Sequence, residues 1–247
     1  MDALIIAAGF GSRLRDISDS KPLTPVAGIP LLELGVRQAK AAGAARVVVV
    51  TGHEAERLEA ALPDLSARCG IAVEPRRVAD WTKPNGWSVI AGAEAISGDY
   101  LLMMSDHIFS AGILSRLARQ GDADRGVTLA VDVRVDHPLI DPDDATWVKR
   151  DGAGFIRAIG KTIADFDVVD CGAFLATPEL ADAIRAAIAA GKAGSLSEGM
   201  QMLADAGRAA TMEIEGAWWL DVDDPRAHAL AEQQAPRELP EIYGPVA

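Results

Sequence analysis

A pair of glycines follows the first apolar run of the sequence and precedes a basic residue. The run Ala3-Leu4-Ile5-Ile6-Ala7-Ala8 leads directly into Gly9-Phe10-Gly11-Ser12-Arg13. Because glycine has no Cβ, its backbone can turn sharply and approach a phosphate group closely. The segment fits a phosphate-binding loop, and an ordinary tight turn is the alternative.

Two common phosphate-binding motifs do not fit this loop. A dinucleotide-binding loop needs a third glycine where Leu14 stands, and an acid after the second strand, where the chain has Thr51-Gly52-His53. A Walker loop needs Gly-Lys-Ser/Thr at a fixed spacing, which is missing from this segment. The residues therefore indicate phosphate binding of another kind.

Two aspartates follow apolar segments and are candidate metal ligands. Asp106 ends the run Leu101 to Ser105, so we expect its side chain at the carboxyl edge of a buried strand, where open α/β sheets bind ligands. Asp221 follows Trp218-Trp219-Leu220, and a strand returning beside the fourth strand would bring it close to Asp106. Two carboxylates so placed suit a hard cation such as Mg²⁺.

The acids around position 221 also have a structural interpretation. Asp221, Asp223 and Asp224 precede Pro225, and acids in this position commonly cap the beginning of a helix. Asp224 is assigned to the cap, and Asp223 to the cap or to a place behind the metal ligands. For Asp221 the residues alone leave both roles open.

Short apolar runs alternate with segments of helical periodicity in the first part of the chain. Strands are predicted over 3–8, 46–51, 71–74 and 99–105, and helices over 31–42, 54–62 and 87–96. This alternation is typical of βαβ units in a parallel sheet. Farther on, shorter strands separated by Asp/Pro and Asp/Gly turns predict an antiparallel or mixed extension of the same sheet, with strands over 127–133, 146–149, 155–159 and 210–214 and helices over 178–190, 196–206 and 225–232. The predicted fold class is α/β, a Rossmann-like mixed sheet, mostly parallel, flanked by helices.

Composition narrows the classes of partner. The 247 residues include 24 Lys and Arg against 36 Asp and Glu, and the net charge of −12 argues against a nucleic-acid surface or a polybasic membrane patch. No apolar run approaches the ~18 residues of a membrane span, and no basic segment with a cleavage site precedes the first strand. We therefore expect a cytoplasmic protein whose partners are small molecules. We expect neither nucleic-acid binding nor membrane insertion, and a homo-oligomer is possible.

Other reactive residue types give little indication of a site. None of the histidines has metal-ligand spacing, and His107, beside Asp106, is interpreted as a structural or supporting histidine. Cys69 and Cys171 are predicted to be reduced and structural. The other histidines are His53, His137 and His228. The tryptophans are interpreted mainly as core residues, and they are Trp81, Trp87, Trp147, Trp218 and Trp219.

The segment from Ala7 to Leu32, with Lys21-Pro22-Leu23-Thr24-Pro25 after the glycine loop, closely resembles the nucleotidyltransferases that join a nucleoside triphosphate to a phosphomonoester. The resemblance covers nearly the whole chain and continues at Met103 to His107 and at Trp219 to Pro225. Finer matches to CTP:inositol-1-phosphate cytidylyltransferases are Ser105-Asp106-His107-Ile108-Phe109, Ile159-Gly160-Lys161 and Asp167 to Phe174. One departure is Lys83-Pro84-Asn85-Gly86, where the family is expected to have Gly-Asn-Gly near the base pocket.

The resemblance assigns roles to individual residues. It implies that Arg13 and Lys21 are catalytic and bind the triphosphate, and that Asp106 and Asp221 hold Mg²⁺. It implies that Lys161, Asp170 and Gly172 bind the acceptor. The implied nucleotide-binding residues are Ala7, Ala8, Gly9, Gly11, Ser12, Asn85, Gly86 and Ser88.

The implied protein is a single nucleotidyltransferase domain over 1–247. Residues 1–110 form the nucleotide-binding half, 111–233 the acceptor-binding half, and 234–247 a proline-containing tail expected to be extended or partly disordered. The implied reaction is cytidylyl transfer from CTP to inositol 1-phosphate with release of pyrophosphate. The alternatives are a sugar-1-phosphate or phosphocholine nucleotidyltransferase using CTP, UTP or dTTP, and a nucleotide-sensing binding protein without turnover.

Overall fold

The computed structural model describes residues 1–110, 112–138 and 140–244. Its strands are β1 (Asp2–Ile6), β2 (Pro25–Val26), β3 (Ile29–Pro30), β4 (Arg46–Thr51), β5 (Ala72–Arg77), β6 (Tyr100–Met104), β7 (His107–Phe109), β8 (Val127–Asp132), β9 (Trp147–Arg150), β10 (Ile156–Gly160), β11 (Val168–Ala176), β12 (Ala209–Glu213) and β13 (Trp219–Asp221). Its α-helices are α1 (Leu31–Ala41), α2 (Ala55–Cys69), α3 (Asn85–Ala93), α4 (Gly112–Gln120), α5 (Pro178–Ala189), α6 (Leu196–Asp205), α7 (Pro225–Glu238) and α8 (Pro240–Tyr243). Short 3₁₀ turns cover Ser12–Leu14, Lys21–Leu23 and Ala123–Arg125.

A mixed central sheet contains nine of the strands in the described part of the chain. Strands β5, β4, β1 and β6 are neighbours in that order and run parallel. Strand β11 runs antiparallel to β6, β8 and β9, while β12 is parallel to β8 and β10 is antiparallel to β9. Only β10 and β11 therefore run against the other strands of this sheet, which confirms the predicted mixed and mostly parallel α/β fold.

Both faces of the sheet are covered by helices, which explains the unbroken apolar runs in its central strands. Leu4 and Ile6 of β1 belong to the core on the α3, α5 and α6 side, whereas Ala3 and Ile5 belong to the core on the α1, α2 and α4 side. Because alternate side chains enter opposite cores, every position of such a strand must be apolar.

Two helices continue through prolines beyond their predicted ends. Helix α2 extends past Pro63 to Cys69, since Leu65 and Cys69 continue its buried face, and Gly70 ends it in a left-handed conformation. Helix α7 extends past Pro236 to Glu238, so the beginning of the tail is helical, contrary to its expected extended or disordered form. The final three residues, 245–247, lie outside the described residues.

Helices α7 and α8 support the hairpin formed by β2 and β3. The carboxylate of Glu232 accepts a hydrogen bond from the Ala27 amide at 2.7 Å, and the Tyr243 hydroxyl donates to the Val26 carbonyl at 2.7 Å. The side chain of Asp224 accepts from the Ala227 amide at 2.7 Å, which confirms the predicted cap at the beginning of α7. No helix in the described ranges has the length and apolar character needed to cross a membrane.

Gly92 allows α3 to lie directly on the sheet. A Cβ at this position would be 2.2 Å from Leu4 Cδ1 and 2.8 Å from Val50 Cγ2. We expect Gly92→Ala to lower the free energy of unfolding by about 1 kcal/mol or more, because overpacking, at about 1–3 kcal/mol, outweighs the helix preference of alanine, which is about 1 kcal/mol. Urea denaturation at 25 °C measures the change.

The matched control is Gly112→Ala at the beginning of α4. A Cβ there meets no atom within 4 Å of the described structure, so the free energy of unfolding should stay equal or rise slightly. Equal stability losses in the two variants would contradict the packing argument.

Candidate active site

The two-stranded ribbon of β7 and β13 brings the predicted metal ligands together. His107 and Asp221 are directly opposite each other in this antiparallel pair, and the Val222 amide donates to the Asp106 carbonyl at 2.9 Å. The expectation that Asp221 returns on a strand beside β6 is wrong, because β11 occupies that position. Asp106 nevertheless lies just beyond the carboxyl end of β6, as its sequence predicts.

The Lys21 ammonium lies between two of the site's aspartates. Its Nζ is 2.6 Å from Asp106 Oδ2 and also forms an ion pair with Asp223. Burial alone would lower the pKa of Lys21, but the surrounding carboxylates outweigh it and hold that pKa above its ordinary value. Burial alone would raise the pKa of Asp106, but Lys21 and His107 outweigh it and hold that pKa well below its usual range. Both groups are therefore charged at neutral pH.

The imidazole of His107 links the two predicted metal ligands. Its Nδ1 is 2.8 Å from Asp106 Oδ1 and 3.7 Å from Asp221 Oδ1, and its ring stacks on Phe109 and Trp219 with centroids 6.2 and 6.0 Å away. Burial alone would lower its pKa, but Asp221 and Asp106 outweigh it and raise the pKa of His107 to about 9. His107 also lines the cavity beside the two predicted metal ligands.

Gly172 makes room for that imidazole. Its φ of +77° is in the left-handed region, and a Cβ on it would lie 2.4 Å from His107 Cδ2. Any other residue would meet both backbone strain and a clash with a ring that is itself stacked on two aromatic side chains.

Asp221 has an oxygen that fits a cation. Its Oδ1 is buried and has no hydrogen-bond partner among the described residues, and burial raises the pKa of this carboxyl to about 6. Carboxylate oxygens of Asp221 lie close to ligand atoms of two groups, Asp106 with His107 and Asp144 with Asp223. A hard divalent cation prefers oxygen ligands, and its charge would favour the ionised form of Asp221. The donor set therefore fits a divalent metal ion.

Asp144 connects two cations that sequence reasoning assigned to different substrates. Its carboxylate forms ion pairs with both Arg13 and Lys161. Arg13 also pairs with Asp223 and lies 3.7 Å from Asp141. Asp144 is not predicted as a site residue from the sequence, because the acidic run Asp141-Pro142-Asp143-Asp144 is typical of a turn.

The glycine loop lies at the ends of β1 and β4. The Ala7 amide donates to the Val50 carbonyl at 3.0 Å, and the Ala8 carbonyl accepts from the His53 amide at 3.0 Å. Gly11 has a φ of +60°, and a Cβ on it would lie 2.6 Å from Lys21 Cβ. Gly11 therefore allows the loop and Lys21 to lie together, Gly9 has no comparable close contact within the described chain, and Ser12 begins the 3₁₀ turn that contains Arg13.

The predicted base-pocket residues lie at the beginning of α3. Asn85 lines a cavity that is also lined by Asp106 and Asp221, and its Oδ1 accepts a hydrogen bond from the Leu196 amide at 2.9 Å. Gly86 packs so closely that a Cβ would lie 2.3 Å from the Gly194 carbonyl oxygen, and Ser88 is buried. Lys83 is exposed in the loop before this helix.

Asp170, a predicted acceptor-binding residue, lines the cavity that also contains Asp106 and Asp221. Its Oδ1 accepts from the Gly172 amide at 2.7 Å, and burial raises the pKa of its carboxyl to about 6. One cavity of about 420 Å³ joins the candidate metal and acceptor residues with Arg13 and with Asn85, the one predicted nucleotide-binding residue in its lining, and it is also lined by Asp144 and Asp223. Lys21 reaches it through its contacts with Asp106 and Asp223.

The fold and the charged cavity correspond to a known class of enzyme. Residues 3–199 match the family described as the MobA-like NTP transferase domain. The chain belongs to this family of nucleotidyltransferases.

Two curated proteins have sequences similar to that of this chain, and their names state different activities. The "Bifunctional IPC transferase and DIPP synthase" of Rubrobacter xylanophilus is 34% identical over 236 residues, which cover 94% of this chain and 51% of that protein. The "Glucose-1-phosphate thymidylyltransferase" of Streptomyces griseus is 29% identical, with 90% of this chain and 62% of that protein covered. The chain thus spans about half the length of the first relative and less than two thirds of the second.

Solved structures confirm the fold. The inositol-1-phosphate CTP transferase from T. maritima superimposes with a TM-score of 0.83 at 21% identity, covering 96% of this chain and 97% of that one. A UDP-glucose pyrophosphorylase complexed with UDP-glucose gives a TM-score of 0.77 at 16% identity, covering 96% of this chain and 100% of that one.

Burial of Asp170 predicts a pH-dependent stability. Its pKa of about 6 exceeds the ordinary value of about 3.9, so the folded protein holds this proton more tightly than the unfolded chain. The contribution to stability is full below about pH 4 and is lost as the pH rises to about 6. We expect Asp170→Asn to raise the free energy of unfolding by about 1–3 kcal/mol at pH 7 and by little at pH 4.

Chemical denaturation in metal-free buffer between pH 4 and 8 measures this difference. Asp165→Asn is the control, because Asp165 is an exposed aspartate paired with Lys149. A difference between Asp170→Asn and the unmodified protein that does not vary with pH would contradict the assignment.

Proposed function

We propose that this chain transfers a cytidylyl group from CTP to inositol 1-phosphate, releasing pyrophosphate and giving a CDP-alcohol. The observation that carries the proposal is that Arg13 and Lys161 line one cavity together with Asp106 and Asp221, while Lys21 pairs with Asp106 at its edge. Three cations and a candidate metal site can neutralise two phosphate-bearing substrates in a protein that is acidic overall.

The reaction needs positioning and charge neutralisation. An oxygen of the phosphomonoester forms a bond to the α-phosphorus of CTP, while the bond from that phosphorus to the bridging oxygen of pyrophosphate breaks. The attacking oxygen is already anionic, so no general base is required. Arg13 and Lys21 would bind the triphosphate and the departing pyrophosphate.

The nucleotide is proposed to lie in the half formed by residues 1–110 of a single domain. Backbone groups of the loop from Ala7 to Ser12 would surround its phosphates, and Asn85 to Ser88 would lie near its base. Asp106 and Asp221 would hold Mg²⁺, which when bound supplies positive charge to the phosphate oxygens. The Oδ1 of Asp221, which has no hydrogen-bond partner among the described residues, supports this ligand assignment.

The acceptor is proposed to lie in the half formed by residues 111–233. Lys161 would pair with its phosphate, and Asp170 would accept hydrogen bonds from hydroxyl groups, which a polyol offers and a quaternary amine lacks. The names of the Rubrobacter relative and of the T. maritima structure support inositol phosphate as the acceptor.

A sugar 1-phosphate is the second candidate acceptor, with CTP, UTP or dTTP as the donor. It is supported by the relative named glucose-1-phosphate thymidylyltransferase, which matches 90% of this chain. Phosphocholine is a third acceptor to test. The non-enzymatic alternative is a nucleotide-sensing protein, and the proximity of Arg13 and Lys21 to the candidate metal ligands supports an enzyme instead.

Pyrophosphate release separates these alternatives. The purified chain would be supplied with CTP, UTP or dTTP, with Mg²⁺, and with inositol 1-phosphate, glucose 1-phosphate or phosphocholine in turn. We expect release to be fastest with CTP and inositol 1-phosphate. A tenfold preference for another acceptor would overturn the inositol assignment, and nucleotide binding without release would indicate a sensor.

The metal assignment predicts the effect of removing either carboxylate. Asp106→Asn and Asp221→Asn should each lower kcat/KM by about two orders of magnitude, since about 3 kcal/mol of transition-state stabilisation is lost. Steady-state pyrophosphate release across a Mg²⁺ titration measures the effect. Asp165→Asn, which removes a carboxylate bound to Lys149, should have near-normal activity. Normal Mg²⁺-dependent activity in either active-site variant would remove that residue from the metal site.

The acceptor assignment predicts an asymmetric effect at Lys161. Lys161→Ala should raise the KM for inositol 1-phosphate by about tenfold or more without weakening CTP binding, because it removes a charge-assisted contact with one substrate only. Arg13→Ala should instead impair the reaction with every acceptor. Equal loss of CTP and acceptor binding in Lys161→Ala would place Lys161 with the nucleotide.

A further inference from the structure

Asp144 lies on the loop between β8 and β9. The part of this loop next to β9 forms a compact acidic turn. The Asp141 carbonyl accepts from the Asp144 amide at 3.1 Å and from the Ala145 amide at 2.9 Å. The Asp141 side chain accepts from the Asp143 amide at 3.0 Å. These bonds hold Asp144 over the cavity in the described part of the loop.

The carboxylate of Asp144 is shared between two cations. Its Oδ1 accepts from Lys161 and its Oδ2 from Arg13. Burial alone would raise the pKa of Asp144, but hydrogen bonds with Lys161, Asp223 and Arg13 outweigh it and hold that pKa well below its usual range, so the bridge is ionic at neutral pH. A phosphate group can bridge two cations in the same way, since it offers several anionic oxygens to neighbouring cations.

The two cations come from different halves of the fold. Arg13 follows β1 and the glycine loop, whereas Lys161 follows β10. Under the proposed function Arg13 binds the phosphates of CTP and Lys161 binds the phosphate of the acceptor. Both substrates must therefore displace the same carboxylate.

We propose that Asp144 couples the two substrate sites and selects for phosphate-bearing ligands. The proposal rests on the proposed function for the identity of the two ligands. The first phosphate to bind displaces Asp144 from one cation, which weakens its hold on the other and leaves that cation available to the second phosphate. A polyol without a phosphate has no charge with which to release Lys161 and is excluded.

Exposure of the three side chains permits this exchange. The exposed fractions are 45% for Arg13, 56% for Lys161 and 26% for Asp144, and ion pairs of this kind are weak enough for a phosphate to replace them. Arg13 keeps its contact with Asp223 when Asp144 leaves, so it stays directed into the cavity.

Calorimetric titration without metal tests the coupling, because substrates then bind without turnover. The dissociation constant of inositol 1-phosphate would be measured alone and with saturating CTP, in the unmodified protein and in Asp144→Asn. We expect CTP to tighten inositol 1-phosphate binding by about fivefold or more in the unmodified protein, and by less than twofold in the variant. The variant should bind each ligand alone more tightly, because no carboxylate has to be displaced.

Asp143→Asn is the matched control. Asp143 is exposed on the same turn, and its replacement changes the net charge equally. A general electrostatic effect would tighten each ligand in both variants without altering the coupling. The proposal is overturned if Asp144→Asn retains the coupling, or if it binds each ligand alone no more tightly than Asp143→Asn does.

Inorganic phosphate and pyrophosphate distinguish failure of this proposal from failure of the proposed function. These probes need only the cations, and Asp144→Asn should bind each of them about three- to tenfold more tightly than Asp143→Asn. If that difference appears while CTP and inositol 1-phosphate do not bind, the substrate assignment is wrong and the displacement of Asp144 stands. If the difference is absent, Asp144 does not compete with phosphate.

Discussion

The site depends on the compensation of its carboxylates by cations, and the most buried of these is the Lys21 ammonium between Asp106 and Asp223, with Arg13 and His107 against the same carboxylates. Several carboxylates converge on a small volume, and without a cation their mutual repulsion would push the strands that hold them apart. Gly11 is part of the same arrangement, because only a residue without a Cβ lets the glycine loop lie against the stem of Lys21. The glycine loop and the ribbon of β7 and β13 are thereby held together as one unit.

The sheet supplies the rest of the geometry by bringing strand ends to one edge. Strands β1 and β6 are parallel neighbours, so the glycine loop and Asp106 emerge side by side. The ribbon of β7 and β13 then adds Asp221 opposite His107, and β11 adds Asp170 and Gly172 to the facing wall. Residues distant in sequence therefore share one cavity without any of them needing an unusual main-chain path except at Gly11 and Gly172.

The sequence predicts the parts of the site that depend on local residue patterns. It does not predict the parts that depend on contacts between residues distant in the chain. Asp106 was predictable because an acid that follows a buried strand must emerge at a sheet edge, and the strand Arg46–Thr51 was predictable because both its faces are covered. The pairing of β13 with β7 was not, since three-residue strands have little periodicity and their partner is chosen by tertiary packing. Asp144 was also missed, because an Asp/Pro turn looks the same whether it faces solvent or two cations. The extension of α2 beyond Pro63 depended on burial of Leu65 and Cys69, which outweighs the local disfavour of proline.

Contact between Gly172 and the His107 ring bears on how this domain can diverge. The ring is stacked on two aromatic side chains and lies beside two carboxylates, so neither partner of the contact can change without the other, and that part of the cavity wall is closed to gradual substitution. The loop that holds Pro142 and Thr146 lines the same cavity from the surface, where side chains can be exchanged one at a time. New acceptor preferences within this architecture would therefore arise by evolution of that loop, with the wall around His107 inherited unchanged.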